Sequence, residues 1–305
     1  MKTIDNLLAD HSKILIECAI AERLRRQPGV MMDPTLFNAP LIYGSEKEKQ
    51  PMEAIYREYL EIAREAGLPI LLMAPTWRLD QDRVAEAGVP TTINSDAVAF
   101  LTGIRDDFPP SAKAPALVGA LTGPQNDCYR PDLAPDMDAA ETFHQPQINE
   151  LASTGIDFLS AQTLPAVGEA IGIGRAMAAT DKPYILSFCT GAKGHVLDGT
   201  PLPEAFDRVD AATASRPPTG YFVNCTHPQF LLEAYPPTTL DRLIGIQANG
   251  SSKDVTQLDG SGETEADDLE KWASAMLSLH RTHKVPGLGG CCGTTGAHLK
   301  SLAKG

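Results

Sequence analysis

Three cysteines in the second half of the chain have the residue type and the spacing to bind one metal ion together. Cys225 lies in the segment YFVNCTHP, and Cys291 and Cys292 lie in GLGGCCGTTGAHL, 66 and 67 residues further on. Three thiolates around Zn²⁺ leave the fourth position of the tetrahedron open to a substrate, which is typical of a catalytic zinc site. Sulfur ligands also favour zinc over magnesium or calcium. We therefore predict that these cysteines bind Zn²⁺ and act in catalysis.

The glycines around the cysteine pair support this prediction, whereas other cysteines and histidines give weaker signals. Glycine adds no packing to a core strand, so we interpret the glycine-rich stretch as backbone that passes close to a metal. Cys18 and Cys189 stand alone in predicted strands, where a cysteine is usually a small buried apolar residue. His227 precedes a proline and is expected in a loop, and His298 falls in a predicted helix. We therefore do not expect either histidine to be a ligand.

The elements that must position these residues are short apolar runs that alternate with amphipathic segments. Continuous apolar runs are expected for parallel strands that are covered on both faces. Such runs predict strands over residues 14–19, 68–75, 116–121, 156–161, 184–189, 221–225, 243–248 and 285–290. The segments between them predict helices over residues 53–66, 137–153, 167–179, 203–212, 229–234 and 264–282.

Strands that alternate with helices in this way predict an α/β fold, a single (β/α)₈ TIM-type barrel, with residues 1–305 forming one domain. The alternative is an open doubly wound sheet, which requires a glycine-rich phosphate-binding loop after the first strand. The sequence ECAIAERL follows that strand instead, and neither GxGxxG nor GxxxxGK[ST] occurs in the chain. In a barrel, the active site lies at the carboxyl ends of the strands, where the cysteines are predicted to meet. The polar segment 249–262 is predicted to be a long loop on that side.

The composition narrows the partners of this chain of 305 residues. There are 26 Lys and Arg residues against 39 Asp and Glu residues, which gives a formal net charge of −13. The negative electrostatic field that results from this net charge repels nucleic acids and anionic membranes. The sequence contains no apolar run of about 18 residues, the length that a transmembrane helix needs. Asp5 and Asp10 interrupt the segment where a signal peptide would be apolar. We expect a cytoplasmic protein that acts on small molecules, with a homo-oligomer left open.

Two segments, NCTHP and GGCCGTTGAHL, resemble the zinc signature of the homocysteine S-methyltransferase family, which includes betaine-dependent and S-methylmethionine-dependent enzymes. Further similar segments keep the family's order: GIDFLSAQT with Glu169 downstream, LDGTPLPEA at 197–205, and Asn249 at the end of the seventh strand. The resemblance covers residues 12–302. It implies a (β/α)₈ barrel with zinc on the three cysteines. It also implies that a methyl group moves from a sulfonium or ammonium donor to a small thiol acceptor, homocysteine, giving methionine.

Two departures from the family's pattern fall on the expected acceptor site. The family usually has Asp-Gly-x-x-Gly-Thr-x-Leu after its first strand, where this chain has Glu17 and neither glycine. It usually has a glutamate before the threonine that ends the fourth strand, where this chain has Gln162 and Thr163. In the family these two acids hold the ammonium group of homocysteine, so the resemblance implies that the corresponding residues contact the acceptor, with Asn249 as a further polar contact. Because Gln162 carries no charge, two alternatives stay open: a different small thiol as acceptor, or a catalytically inactive zinc- and thiol-binding barrel.

Only the end of the second strand indicates a donor pocket. Its sequence, APTWR, resembles the Thr-aromatic-aromatic sequence of betaine-type enzymes. We predict that Trp77 presents its ring face to the methyl-bearing cation, a contact worth about 0.5–2 kcal/mol. Packing of this tryptophan beneath a loop is the alternative. The neighbouring Arg78 disfavours a cation and favours a carboxylate, and Asn224 is expected to support the cysteine loop.

Overall fold

Eight parallel strands form a closed barrel in the computed structural model, which describes residues 3–109, 111, 113–254 and 266–305. Each strand pairs with its neighbours in chain order, and the last pairs with the first, so the open-sheet alternative is wrong and the predicted barrel is confirmed. The strands are β1 Ile14–Ile16, β2 Ile70–Ala74, β3 Ala116–Thr122, β4 Phe158–Leu164, β5 Tyr184–Cys189, β6 Gly220–Thr226, β7 Leu243–Ala248 and β8 Gly287–Gly290. Every predicted strand overlaps one of these.

The helices surround the barrel and connect its strands. In the described ranges they are α1 Ile4–Asp10, α2 Ala21–Arg25, α3 Glu46–Ala66, α4 Gln81–Ala87, α5 Ile93–Asp107, α6 Met137–Ala152, α7 Val167–Ala178, α8 Leu202–Ala212, α9 Pro228–Ala234, α10 Leu269–His283 and α11 Gly296–Lys304. The six predicted helices are confirmed, but α3 begins at Glu46, seven residues before its predicted start, and α10 begins at Leu269, five residues after its predicted start. His298 lies in α11, as expected. Four of the helices were not predicted: α1, α2, and the two after β2, α4 and α5. None of the helices described is long and apolar enough to cross a membrane.

The amino ends of the strands enclose an apolar core that α1 closes. Ile4 and Leu7 of α1 pack against side chains from β1 to β6 in one buried cluster. The rings of Phe158 and Phe222 fill this space because the residue paired with each of them on a neighbouring strand is glycine. A Cβ at Gly119 or at Gly245 would lie 2.5 Å from the ring of Phe158 or Phe222 respectively. This close packing fills the end of the barrel opposite the predicted site, where the β6–β7 register also shifts once, between Tyr221 and Phe222.

The loop predicted over 249–262 is described only as far as residue 254; residues 255–262 lie outside the described part of the chain. Its first residues leave β7 beside the carboxyl end of β8, where the Gly250 N–H donates to the Cys292 carbonyl at 2.8 Å. On the other side, the Asp267 N–H donates to the Gly250 carbonyl at 2.7 Å. The described ends of this connection therefore lie against the cysteine pair.

Candidate metal centre and active site

The predicted cysteines converge at the carboxyl end of the barrel. Cys225 is the sixth residue of β6, and Cys291 and Cys292 directly follow β8. The three sulfur atoms all lie within 4.8 Å of one another, and the Cys225 and Cys291 Sγ atoms are 3.0 Å apart. Zn–S bonds of about 2.3 Å would place tetrahedral thiolates roughly 3.8 Å apart. Small side-chain adjustments would therefore admit a zinc ion.

The crowding of these thiols is itself an argument for a cation. Contact with the Cys225 thiol, together with burial, raises the pKa of Cys291 well above its ordinary value. Three sulfurs so close together, one on a buried cysteine and two on partly buried ones, cannot all carry negative charge unless a positive ion compensates them. A divalent metal that prefers sulfur, such as zinc, fits this donor set.

Cys225 reaches the cluster through an irregularity in its strand. Its φ is 51°, a left-handed conformation that is uncommon for a residue with a side chain. The β6–β7 register shifts between Asn224 and Thr226, around this residue. Thr163 on β4 has a similar φ of 64°, and the β4–β5 register shifts between residues 161 and 164. Such residues cost about 1–3 kcal/mol each and persist where the surroundings hold them.

The Asn224 side chain holds both irregular residues. Its Oδ1 accepts hydrogen bonds from the Thr163 N–H at 2.8 Å and from the Ser187 hydroxyl at 2.6 Å. Its Nδ2 donates to Thr163 Oγ1 at 2.7 Å and contacts the Cys225 sulfur at 3.4 Å. This network agrees with the expected supporting role of Asn224. Thr163 lines the cavity that the three cysteines also line. Its hydroxyl is already hydrogen-bonded to Asn224.

The glycines of β8 serve a purpose other than the one predicted. A Cβ at Gly289 would lie 2.5 Å from the Ile16 carbonyl oxygen, and one at Gly287 would lie 2.8 Å from the Ile244 carbonyl oxygen. Their absent side chains therefore allow the neighbouring strand backbones to approach. The interpretation that the backbone there passes close to a metal is wrong for these two positions.

Glu17 directly follows the first strand, is 7% exposed and lines the cavity that the three cysteines also line. Burial raises the pKa of its carboxyl well above the ordinary value, and the hydrogen bond from the Met73 N–H at 2.8 Å to Oε2 opposes that shift. A cation bound beside Glu17 would favour the ionised carboxylate.

Gln162 takes part in a chain of amide hydrogen bonds across the barrel. Its Nε2 donates to Gln247 Oε1 at 2.7 Å, and Gln247 Nε2 donates to the Glu17 carbonyl at 3.2 Å. The Gln162 Oε1 therefore stays available as an acceptor on a residue that lines the cavity. Sequence reasoning missed Gln247, although its place near the carboxyl end of β7 was a usable signal.

Asn249 also lines the cavity and is buried. Its backbone is fixed, because its N–H donates to the Thr226 carbonyl at 2.7 Å and its carbonyl accepts from Trp272 Nε1 at 2.8 Å. Its side-chain Oδ1 has no hydrogen-bond partner in the described part of the chain. An unsatisfied buried oxygen of this kind is suited to a donor group on a ligand.

Trp77 lines the same cavity, which has a volume of about 460 Å³. Its indole Nε1 donates to the Gln162 carbonyl at 3.1 Å. Its ring stacks on Phe37 at a centroid distance of 5.8 Å and an angle of 15°. The predicted tryptophan is therefore at the cavity, with one neighbour, Phe37, that sequence reasoning missed.

The two histidines considered above lie outside the cysteine cluster. His227 Nδ1 accepts from the Gln229 N–H at 3.3 Å, and its Nε2 is 3.5 Å from Asp267 Oδ2. His298 caps the start of α11 together with Thr295. Across the described ranges, the one group of side chains able to hold a metal is the three cysteines.

The sequence pattern of the homocysteine S-methyltransferase family matches residues 14–305. The chain belongs to this family. Among its relatives, it is 22% identical to the homocysteine S-methyltransferase YbgG of Bacillus subtilis, over 99% of this chain and 97% of the relative. It is 27% identical to the homocysteine S-methyltransferase of Escherichia coli over 57% of this chain and 56% of that protein. Family membership and the confirmed barrel agree with the resemblance found in the sequence.

Two solved structures of the homocysteine methyltransferase MmuM from Escherichia coli share the fold. The oxidised form superposes with a TM-score of 0.75 at 20% identity, covering 98% of this chain and 97% of that one. The metallated form gives a TM-score of 0.71 at 21% identity, covering 98% of both chains. The family's barrel therefore extends over nearly the whole chain.

Proposed function

We propose that this protein is a zinc-dependent homocysteine S-methyltransferase that uses a sulfonium or quaternary ammonium methyl donor and forms methionine. The observation that carries the proposal is the convergence of Cys225, Cys291 and Cys292 in a cavity that also contains Glu17. Metal ligands and an acid for an amino group are the two features that a small aminothiol requires. The family supports the same reaction.

The cysteines would hold Zn²⁺, which supplies a deprotonated acceptor sulfur at neutral pH. In the transfer, the acceptor sulfur forms a bond to the methyl carbon while the bond from that carbon to the donor heteroatom breaks. The bonding pair returns to the donor, which leaves neutral, and the acceptor's thiol proton has gone to water on binding. Since the leaving group needs no proton, the protein's main task is to align the two substrates.

The acceptor's amino group would lie between Glu17 and Gln162. Its positive charge favours the ionised form of the buried Glu17 carboxyl, whose pKa burial otherwise raises. The Gln162 Oε1 accepts one of the ammonium hydrogens because its own NH₂ is already donated to Gln247. Asn249, with its unpaired Oδ1, offers a further contact for the acceptor.

One observation favours a second candidate, a transferase for a different small thiol. Gln162 and Gln247 form a neutral pair where the family pattern would place an acid. A hydrogen bond to a charged group contributes about 1.5–3 kcal/mol and one between neutral groups about 1 kcal/mol. The affinity for an ammonium group is thus weaker here than it would be with two acids. The affinity for a thiol without an amine would be reduced less by the missing acid.

The test is a matrix of acceptors and donors with zinc-loaded protein. Homocysteine, cysteine and 3-mercaptopropionate are each combined with S-methylmethionine, S-adenosylmethionine, betaine and dimethylsulfoniopropionate, and methylated products are measured by mass spectrometry. Methionine from homocysteine as the fastest reaction is the expected result. Faster methylation of another thiol would favour the second candidate. Stoichiometric zinc without any product would favour an inactive zinc- and thiol-binding barrel.

A further inference from the structure

Arg78 has an unusual environment for an arginine at a cavity wall. Its guanidinium carbon lies 5.0 Å from the centroid of the Phe37 ring and 5.2 Å from that of the Trp77 ring. Its Nε is buried and has no hydrogen-bond partner within the described ranges. No described carboxylate lies within 4.0 Å of its nitrogens. A permanent charge thus lies beside two aromatic rings at the cavity and forms no ion pair with any described residue.

The charges of two acids, Asp80 and Asp127, act on Arg78, and both acids also contact other groups. Asp80 accepts from the Arg83 N–H at 3.1 Å through Oδ1 and pairs with the Arg83 guanidinium at 2.5 Å through Oδ2. Asp127 is exposed, and its Oδ1 accepts from the Tyr129 N–H at 2.8 Å. Burial and the neighbouring Arg83 lower the pKa of Arg78, and the charges of Asp127 and Asp80 oppose that shift only in part.

The ring beside Arg78 is fixed at some cost. Phe37 has a φ of 56°, in the left-handed region. A tight turn holds it there: the Asp33 and Phe37 backbones exchange hydrogen bonds of 2.9 and 3.0 Å, and Asp33 Oδ1 accepts from the Leu36 N–H at 2.7 Å. A strained aromatic residue that defines a cavity wall is characteristic of a ligand site.

We propose that Arg78 binds the carboxylate of the methyl donor, so that the enzyme selects donors that carry both a methyl-bearing cation and a carboxylate. This inference rests on the proposed methyl transfer. A bare cation beside Trp77 would be repelled by Arg78, whereas a zwitterion neutralises the guanidinium with its own carboxylate. The same ring can then contact the sulfonium or ammonium group. Arg78 and Trp77 can therefore bind one zwitterionic donor together, with the guanidinium contacting its carboxylate and the indole ring contacting its cation.

The acceptor is the less suitable source of this carboxylate. Its sulfur is assigned to Cys225 on β6 and the two cysteines after β8, and its ammonium to Glu17, directly after β1, and Gln162 on β4. In an amino acid such as homocysteine the carboxylate is attached to the same carbon as the ammonium. Arg78 instead contacts Phe37 and Trp77 and makes no hydrogen bond to Glu17 or Gln162.

The experiment compares S-methylmethionine with its carboxamide as donors, using homocysteine and zinc-loaded protein. Wild type should prefer the carboxylate donor by at least about 10-fold in kcat/KM. Arg78→Gln should lower kcat/KM for the carboxylate donor by about 10- to 150-fold, and that for the carboxamide by less than about 3-fold. Arg78→Lys should restore part of the loss, because lysine keeps the charge but not the planar fork. Arg25→Gln removes an equal charge from an exposed arginine at the same cavity and should change the donor preference by less than about 3-fold.

Three results would overturn the proposal. The first is an equal loss with both donors, which would assign Arg78 to packing. The second is an indifferent wild type, a comparison that does not depend on the folding of any variant. The third is a loss that disappears when 3-mercaptopropylamine replaces homocysteine, which would place the acceptor's carboxylate on Arg78.

If wild type transfers no methyl group at all, the proposed function fails, and calorimetric binding decides the present inference separately. S-methylmethionine that binds wild type at least about 10-fold more tightly than Arg78→Gln would then support a carboxylate site. Equal affinity for the two proteins, or no binding to either, would overturn it.

Discussion

The two ends of the barrel are built on different principles. At the amino ends of the strands, apolar side chains and two rings opposite glycines fill the interior, and the first helix covers it. At the carboxyl ends, the strand register shifts twice, and Thr163 and Cys225 adopt left-handed conformations. Apolar packing fills the amino end of the barrel, which we call the regular end. The positions of polar and cysteine side chains shape the carboxyl end, which we call the irregular end. The comparison shows how a barrel can tolerate a strained site: the regular end contributes the stability that the irregular end gives up.

The largest effect should come from removing one ligand at the irregular end. Cys291→Ala leaves two thiols around the ion, so zinc should be lost and methyl transfer should become undetectable. Zinc content by plasma emission spectrometry and methionine formation are the measurements. Cys189→Ala is the matched control, because this buried thiol is nearby but outside the cluster. One zinc per chain in Cys291→Ala would contradict the three-cysteine site.

A core truncation at the regular end should do the reverse. Phe222→Ala removes a ring that is 1% exposed and leaves a cavity opposite Gly245. The free energy of unfolding of the metal-free protein should fall by about 3–5 kcal/mol, as measured by urea denaturation. Zinc stoichiometry of the folded variant should stay near that of wild type. If zinc binding were lost while the variant remained folded, the two ends would not be independent.

An intermediate effect is expected at the residue that holds the irregular strands. Asn224→Ala removes the hydrogen bonds to Thr163 and Ser187 and the contact with Cys225. Loss of such support behind a ligand typically lowers metal affinity by about 10- to 100-fold, which competition with a chromogenic chelator would measure. Ser187→Ala, which removes only one of these hydrogen bonds, should cost less. Equal zinc affinity in wild type and Asn224→Ala would show that the left-handed conformations do not depend on this side chain.

The smallest effect is a gain at the acceptor site. Gln162→Glu supplies the missing acid, and because glutamine already offers an oxygen, the added stabilisation of an ammonium group is about 1–2 kcal/mol. This amounts to roughly a 5- to 30-fold rise in kcat/KM for homocysteine relative to 3-mercaptopropionate. Gln247 can turn its amide to donate to the new carboxylate. An unchanged ratio would mean that Gln162 is a neutral replacement and does not set the choice of acceptor.

The parts that the sequence predicted are those with a local signal. Buried parallel strands give continuous apolar runs, and a cysteine pair at a strand end is rare enough to indicate a ligand set. The helices α4 and α5 follow β2 without an equally clear pattern and were not predicted. The link between Gln162 and Gln247 joins residues 85 positions apart, and no local pattern records such a contact. The left-handed conformations of Thr163 and Cys225 were likewise hidden, because neither residue is a glycine.

The position of Asn224 has a consequence for how the protein could change. One side chain contacts both the residue next to Gln162 and Cys225, the proposed metal ligand on β6. Acceptor choice and metal affinity are therefore not separate traits that substitutions can adjust one at a time. A variant selected for a new thiol through changes around Thr163 should often need a second, compensating change near Cys225. In a directed-evolution experiment, mutations at these two strand ends should be recovered together more often than singly.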